Sequence, residues 1–341
     1  MKSNQATIKD IARILGISPS TVSRALKDHP DISPKTRKAV KKLAEELHYE
    51  PNAIALSLRN SLTKTIGVII PELVHHFFSS VISGIEDIAY KSGFSVLICQ
   101  SNEDYDKEVH VVHTLLSKRV DGVLASVSKT TNKFDHYYEL KNSNIPLVFY
   151  DRVCNIPNTD RVIVDDYTGS YKAVKHLVEA GCSRIAHLAT SQELLIGRNR
   201  KNGYIQALKD CGIEVDEEII LRCDTDQHAK KCIPYLLSLE KKIDGIFAVN
   251  DLTAITAMSI IKRSGYSIPQ DIAIAGFSNS IYTNMTDPPL TTIEQHGFIM
   301  GQKAATMLME RIQSETDIET RVEQIKTELI VRGSTQRRKN L

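Results

Sequence analysis

The chain has 341 residues, of which 42% are hydrophobic and 25% charged, and its formal net charge is +2. This length allows two or three domains with their own cores, and the composition is typical of a globular protein. No apolar run is long enough for a signal peptide or a membrane span, so we expect a cytoplasmic protein that does not contact membranes. The six cysteines are widely spaced and no Cys or His cluster has metal-ligand spacing, which favours reduced thiols, no metal and no cofactor.

The first predicted helix opens at a capping box. The Thr7 hydroxyl can accept an unpaired backbone N–H, and Asp10, three residues later, can reach back to the start of the helix. Gly16 ends the helix, because a residue that easily adopts positive φ is favoured there. Between these signals the apolar residues recur at helical spacing, at Ile8, Ile11, Ala12 and Leu15.

Two further helices follow with the same punctuation. Ser18 caps a second helix with Pro19 in its first turn, and Ser33 followed by proline starts a third helix that runs to about Leu47. Two helices joined by a tight glycine turn predict a helix-turn-helix, whose second helix fits the major groove of DNA. That second helix turns Val22, Ala25 and Leu26 inward and leaves small polar residues and an arginine outside, namely Ser20, Thr21, Ser23 and Arg24.

Positive charge is concentrated in this first segment. Residues 1–60 hold 11 Lys/Arg against 6 Asp/Glu, whereas the rest of the chain holds 32 against 35. A basic segment on a mildly acidic body is typical of a domain that binds phosphates of nucleic acid. The alternative is a three-helix cap on a larger enzyme.

The pattern changes after a short helix-prone linker at residues 50–60, which is too short to stay helical in water by itself. Apolar, β-rich runs then alternate with amphipathic helices, which predicts parallel sheets covered on both faces. We expect two βα blocks, at about 65–163 and 164–292, followed by a helix near 296–313 and a strand near 328–331. The strand candidates are residues 65–70, 94–99, 122–127, 146–150, 162–164, 184–189, 218–222, 245–249 and 272–277.

Known catalytic motifs are missing from this α/β region. The sequence holds no G-x-G spacing, no P-loop, no G-x-S-x-G and no H-E-x-x-H. The acid pair Asp165 and Asp166 is more typical of a loop or helix cap than of a catalytic dyad. The cleft between two lobes is therefore expected to bind a ligand, and we predict that the protein is not an enzyme. An enzyme or a solute-binding protein that uses this cleft remains the alternative.

A series of short motifs in order along the whole chain resembles the lac/gal repressor (LacI–GalR) family of bacterial transcription regulators. It begins with TIKDIA at 7–12 and GISPSTVSRAL at 16–26, and it continues with SPKTR at 33–37, YEPNAIA at 49–55, IGVIIP at 66–71, RVDG at 119–122, AVND at 248–251, PQDIAIAGF at 269–277 and PLTTI at 289–293.

The resemblance implies an α/β fold class: an N-terminal all-α helix-turn-helix headpiece, then two doubly wound parallel-sheet subdomains of the periplasmic-binding-protein type. The implied domains are 1–50 for DNA binding, 51–64 for a hinge helix and linker, and 65–341 for effector binding and dimerisation. We expect an N-subdomain of about 65–163 plus 294–325 and a C-subdomain of about 164–293 plus 326–341. The implied partners are pseudo-palindromic double-stranded operator DNA, a small effector related to carbohydrates, and a second copy of the chain.

The resemblance also assigns DNA-contacting positions. Arg24 is placed to present its two-pronged donor to a guanine, and Leu58 to wedge between base pairs from the minor groove. The alternative for Leu58 is packing on the body, and for the threonines and serines it is helix capping. The implied set is Thr7, Pro19, Ser20, Thr21, Ser23, Arg24, Ser33, Thr36, Asn52, Ala55 and Leu58.

The implied effector residues are Phe77, Phe78, Asp151, Arg198, Arg200, Asn250 and Ser278. Arg200 is placed to grip a ligand hydroxyl or carboxylate. The alternative role for Asn250 is to cap a helix N-terminus. The alternative role for Phe77 and Phe78 is to pack in the core between the lobes. The sequence lacks the family's usual acid at Ser278 and its usual aromatic ring after Asp224, which shifts the expected effector towards a phosphorylated sugar, a carboxylated sugar or an oligosaccharide.

Overall fold

The computed structural model describes residues 6–49, 62–314, 316 and 319–337. Asn52, Ala55 and Leu58 lie outside the described residues, so their predicted contacts stay predictions. The chain divides into two compact units, residues 1–64 and 65–341, and each is described by itself below. We call the first unit the headpiece and the second the body.

The headpiece is built from three short helices, α1 (Ile8–Leu15), α2 (Pro19–Leu26) and α3 (Pro34–Glu46). The capping box at Thr7 and Asp10 is confirmed, as are the side-chain caps of Ser18 and Ser33, and Gly16 adopts φ +62° at the end of α1. The helices pack around one small apolar core made of Ile11, Ala12, Val22, Ala25, Ile32, Val40 and Ala44.

The first part of the body, which we call lobe 1, is a six-stranded parallel sheet in the order β11-β5-β4-β3-β1-β2. The strands are β1 (Thr65–Ile70), β2 (Ser95–Gln100), β3 (Gly122–Ala125), β4 (Leu147–Tyr150), β5 (Asp160–Val164) and β11 (Val322–Ile325). The helices of this lobe are α4 (His76–Lys91), α5 (Tyr105–Lys118), α6 (Asp135–Asn142) and α11 (Gly297–Gln313). Apolar cores cover both faces of the sheet, as the uninterrupted hydrophobic strands predict.

The second part, lobe 2, is a four-stranded parallel sheet in the order β7-β6-β8-β9. The strands are β6 (Ile185–Ala189), β7 (Ile220–Arg222), β8 (Gly245–Ala248) and β9 (Ala273–Ala275). The helices are α7 (Asp166–Glu179), α8 (Leu195–Asp210), α9 (Asp226–Ser238) and α10 (Asp251–Arg263). A separate antiparallel pair joins β10 (Thr292–Glu294) to β12 (Glu328–Ile330).

The nine strand candidates and the late helix and strand are confirmed in position. The sequence did not predict β10 and β11. Both are short, and β11 lies at the edge of the lobe 1 sheet with alternately exposed residues, so no apolar run marks it. Its pairing with β5 nevertheless brings the late part of the chain back to lobe 1.

Candidate functional site

The exposed surface of α2 carries the predicted DNA-reading residues. Val22 and Ala25 are fully buried and fix the helix to the core, so the opposite face points to solvent. Pro19, Ser20 and Arg24 are exposed there, whereas Thr21 and Ser23 are half-buried. The arrangement presents one flat polar face of the kind that a major groove accepts.

The hydroxyl groups near this face are already used for capping. Thr7 Oγ1 donates to Asp10 Oδ2 at 2.7 Å, and Ser33 Oγ accepts the Thr36 N–H at 3.2 Å. Ser18 Oγ lies 2.7 Å from Ser20 Oγ. A hydroxyl oxygen that accepts one bond as a helix cap still has a second lone pair. It can accept a hydrogen bond from a water molecule bound to a DNA phosphate, so helix capping and DNA contact are compatible.

Arg24 differs from Arg13 and Lys41, two other basic residues of the headpiece, in having no partner among the described residues. Arg13 pairs with Asp10 at 2.7 Å, and Lys41 pairs with Asp28 at 2.7 Å. Among the described residues, nothing bonds or pairs with the Arg24 guanidinium, and the side chain is exposed. Its five N–H donors are therefore available to an external acceptor.

In the body, a cavity of about 70 Å³ lies where the carboxyl ends of the strands of both lobes meet. Open parallel sheets bind ligands in this crevice. A space of this size admits only a few water molecules, so a larger ligand requires the lobes to separate. The lining residues are His75, Phe77, Phe78, Lys129, Asp151 and Arg152 from lobe 1, and Thr190, Ile196, Arg200, Asp224, Val249, Asn250, Ser278 and Gln295 from lobe 2 and the connecting segments.

Arg200 is the most heavily bonded cation of this cleft. Its Nε donates to Asp166 Oδ1 at 2.8 Å and its Nη2 lies 2.7 Å from the same oxygen, while Nη1 donates to Val249 O at 2.5 Å. The guanidinium carbon also lies 3.8 Å from the centroid of the Phe277 ring. Three of the five N–H donors are thus occupied, and two remain for a ligand.

The carboxyl group of Asp166 is buried beneath Arg200. Burial raises its pKa to about 6, although the positive charge of Arg200 acts to lower it. The neighbouring Asp165 caps α7 by accepting the Thr168 N–H at 3.1 Å. The acid pair therefore divides into a cap, as predicted for such a pair, and a partner for Arg200 that the sequence did not reveal.

Asp151 carries the least compensated charge in the cleft. It is buried, and among the described residues its carboxylate accepts no hydrogen bond; the nearest cation, Arg152 Nε, lies 3.9 Å away. Arg152 already holds Glu103 with its Nη1, at 2.7 and 2.8 Å. Burial raises the pKa of Asp151. A buried acceptor without a donor is a ready partner for a ligand hydroxyl.

Asn250 and Ser278 follow two strands of lobe 2, and hydrogen bonds with the backbone hold each of them in place. Asn250 caps α10, because its Oδ1 accepts the Thr253 N–H at 2.8 Å, so only its side-chain NH₂ is left for the cavity. Ser278 follows β9 with φ +130°, a conformation that side-chain-bearing residues rarely adopt. Its N–H donates to Ile293 O at 2.8 Å, which holds the strained residue in place.

Six of the seven predicted effector residues line this one cavity. Phe77 and Phe78 do so while also packing in the core of lobe 1, rather than in a core between the lobes, and their contact with an effector stays a prediction. Arg198 lies elsewhere: it is exposed, donates to the Gln192 and Glu193 carbonyls, and lines a separate surface groove. Residues two apart on a helix point in different directions, so Arg198 and Arg200 do not share a face.

The predicted set lacks eight of the lining residues, namely His75, Lys129, Arg152, Thr190, Ile196, Asp224, Val249 and Gln295. Most of them follow directly after a strand, which is the one signal that identifies them in advance. Gln295 is buried and its amide bonds to no described residue. Among the described residues, no group of three or more His, Cys, Asp or Glu is placed to hold a metal.

These two units define a class of protein: a helix-turn-helix headpiece joined in one chain to a two-lobed α/β body with a ligand cleft. Comparison with known proteins gives the family. Residues 7–52 match the model described as "Bacterial regulatory proteins, lacI family", and residues 63–332 match "Periplasmic binding proteins and sugar binding domain of LacI family". The chain belongs to the LacI family, and it is a DNA-binding transcriptional regulator with an effector-binding domain.

Similar proteins agree with this assignment over nearly the full length. The HTH-type transcriptional repressor PurR of Aliivibrio fischeri strain MJ11 is 34% identical over 332 residues, covering 96% of this chain and 98% of that protein. PurR of Mannheimia succiniciproducens is 32% identical over 334 residues, with 97% and 99% covered.

Two solved structures share the fold over nearly the full length of the chain. The lac repressor dimer bound to operator and the anti-inducer ONPF has a TM-score of 0.83 at 25% identity, with 97% of this chain and 99% of that chain covered. The complex of the transcriptional regulator CelR with cellobiose has a TM-score of 0.74 at 28% identity, with 96% and 99% covered. No helix among the described residues is long and apolar enough to cross a bilayer.

Proposed function

We propose that this chain is a cytoplasmic, non-enzymatic repressor that binds a pseudo-palindromic operator as a homodimer. In this proposal an effector held between the two lobes changes the strength of that binding. The similar lac repressor was solved as a dimer on operator DNA, and the PurR proteins are named repressors. A two-fold dimer carries two copies of α2, which requires two half-sites related by the same symmetry.

We further propose that the effector is a neutral polyhydroxylated molecule. The observation that carries this proposal is the state of charge in the cleft: Asp151 lacks a donor, whereas each lining cation already has an acid partner. Those pairs are Arg200 with Asp166, Arg152 with Glu103, and Lys129 with Asp224. An anionic ligand must compete with these acids, so the charges weigh against the phosphorylated or carboxylated sugar that the sequence favoured. Phe77 and Phe78 add apolar surface for the face of a sugar ring.

A thermal-shift panel tests the effector class. Neutral sugars are compared with their phosphates and acids, using the full chain. A true effector at 100 times its Kd adds about 2.7 kcal/mol to the free energy of unfolding. Asp151→Asn should abolish the shift, while Asp106→Asn, on the exposed surface of lobe 1, should leave it unchanged. Stabilisation by the anionic compounds alone contradicts the proposed class.

A salt titration of duplex binding tests the regulatory function. We expect the logarithm of the affinity to fall steeply with the logarithm of the salt concentration, together with a preference among duplex sequences. A chain that binds no duplex in low salt contradicts the proposal and favours a plain ligand-binding protein or an enzyme.

A further inference from the structure

One ion pair joins a residue of lobe 1 to a residue of lobe 2 at the cavity between the lobes. Lys129 follows β3 in lobe 1, and Asp224 follows β7 in lobe 2. Lys129 Nζ lies 3.3 Å from Asp224 Oδ2. Both side chains line the cavity, and their exposed fractions are only 17% and 3%.

The lobe 1 side of this pair is held firmly. The backbone N–H groups of Ser128 and Lys129 donate to the carboxylates of Glu108 and Glu103, at 2.7 and 2.8 Å. The Thr131 hydroxyl donates to Glu108 at 3.0 Å. Glu108 is fully buried and also lies 3.0 Å from His136 Nε2. The loop that carries the ammonium group is therefore fixed by two acids from its own lobe.

The lobe 2 side is fixed in the same way. The Thr190 hydroxyl donates to Asp224 Oδ2 at 2.7 Å, and His228 Nδ1 lies 3.2 Å from Asp224 Oδ1. Burial acts to raise the pKa of Asp224, but Lys129, Thr190 and His228 together lower it, so the carboxylate is charged at neutral pH.

Lys129 Nζ also lies 3.7 Å from Glu103 Oε1 in its own lobe, and Asp224 is held by Thr190 and His228. Two charged groups that each have contacts within their own lobe lose less side-chain freedom when they meet. Most surface ion pairs contribute little because long side chains must be ordered and because water screens them. Here the hydrogen bonds within each lobe reduce the cost of ordering the side chains, and burial reduces the screening by water. When the lobes separate, the two charges can instead be hydrated separately, so the pair acts specifically on closure.

We infer that Lys129 and Asp224 form a latch that stabilises the closed arrangement of the two lobes. The latch also occupies polar groups that a ligand would otherwise contact. An effector larger than the cavity must therefore enter while the latch is open, and it must replace the contacts of the pair. Lys129 and Asp224 thus set how readily the sensor closes and which ligands it accepts. The consequence for ligands rests on the proposed effector cleft, whereas closure itself does not.

Single-molecule energy transfer on the full chain tests the latch without any effector. Dyes are attached through non-natural amino acids at Tyr138 and Lys231, exposed residues of lobe 1 and lobe 2. Excess unlabelled chain ensures that a dimer carries one labelled copy. Lys129→Gln should raise the ratio of open to closed molecules about fivefold or more, because Asp224 would lose its cation only in the closed state.

Matched variants separate the latch from a general structural effect. Lys129→Arg keeps the charge and should stay within about twofold of the unmodified protein. Lys133→Gln removes an exposed lysine of the same loop and should change nothing. Asp224→Asn should shift the ratio as Lys129→Gln does, and the double variant should shift it no further, because the two residues act as a pair.

An unchanged ratio in Lys129→Gln overturns the inference, and so do additive shifts in the double variant. Because no effector is present, either result is independent of the thermal-shift panel. Failure of that panel would challenge the effector class and leave the latch measurement standing.

Discussion

Replacing Arg200 by methionine should destabilise the body and remove effector binding together. The guanidinium makes two close contacts with Asp166 Oδ1, at 2.7 and 2.8 Å, donates to Val249 O and lies on the Phe277 ring. Methionine retains the apolar contact but leaves the 3%-exposed Asp166 carboxylate without a cation. Breaking a buried pair in this way costs about 3–5 kcal/mol.

Proton uptake by Asp166 makes this cost depend on pH. In the unmodified protein the carboxyl group has a pKa of about 6, so it takes up its proton only below that pH. Without Arg200 the pKa rises further, and the folded variant stays protonated from pH 7.5 to 5. One pH unit corresponds to about 1.36 kcal/mol. Over the interval from pH 7.5 to 6 only the variant gains stability, so its deficit should shrink by about 2 kcal/mol.

Urea unfolding of the body at pH 7.5 and 5 measures this deficit. Far-UV circular dichroism is the suitable signal, because the sequence contains no tryptophan. Asp166→Asn combined with Arg200→Met should recover much of the loss at pH 7.5, because the folded state then has no buried carboxyl group that must take up a proton. A deficit that is equal at both pH values, or a double variant as unstable as Arg200→Met, would show that the buried carboxyl group of Asp166 is not the source of the loss.

Three further predictions concern the headpiece and the packing of the body. Arg24→Ala should weaken duplex binding by about 1–3 kcal/mol at one base-pair position, measured on a set of single-site duplex variants; a uniform loss would mark Arg24 as a phosphate contact. Burial lowers the pKa of His187 to about 4, so the unfolded chain binds this proton first and stability falls as the pH drops from 6.5 to 4. His187→Phe should remove about 3 kcal/mol of that fall in urea titrations at pH 7 and 4, and an unchanged pH dependence would contradict it. Gly301→Ala should lower the thermal midpoint, because a Cβ there would lie 2.0 Å from Val81 O where α11 crosses α4, whereas the exposed Ser83→Ala should not.

The starts and ends of the headpiece helices could be predicted almost completely from local sequence signals. A capping box, a serine followed by proline and a glycine at a helix end act within four residues, so the sequence contains the whole interaction. The alternation of strands and helices was equally clear, because buried parallel strands are apolar throughout. The short edge strand β11 lacks that signal and depends on β5, more than 150 residues earlier.

The cleft was only partly predictable for the same reason. Resemblance to the family supplied positions, but the partners of those positions come from distant segments: Asp166 for Arg200 and Asp224 for Lys129. Helical geometry alone could have separated Arg198 from Arg200, because two residues two apart on a helix do not share a face. The charge balance that favours a neutral effector could not be predicted, because it depends on knowing all of these ion pairs together.

The most direct test of the account is the coupling between effector and DNA in the full chain. A duplex is first selected from a random-sequence pool, and its affinity is then measured with and without the neutral sugar found in the thermal-shift panel. We expect the sugar to change the duplex affinity, in one direction or the other, and the duplex to change the sugar affinity by the same factor. A sugar that occupies the cleft while leaving the duplex affinity unchanged would contradict this expectation.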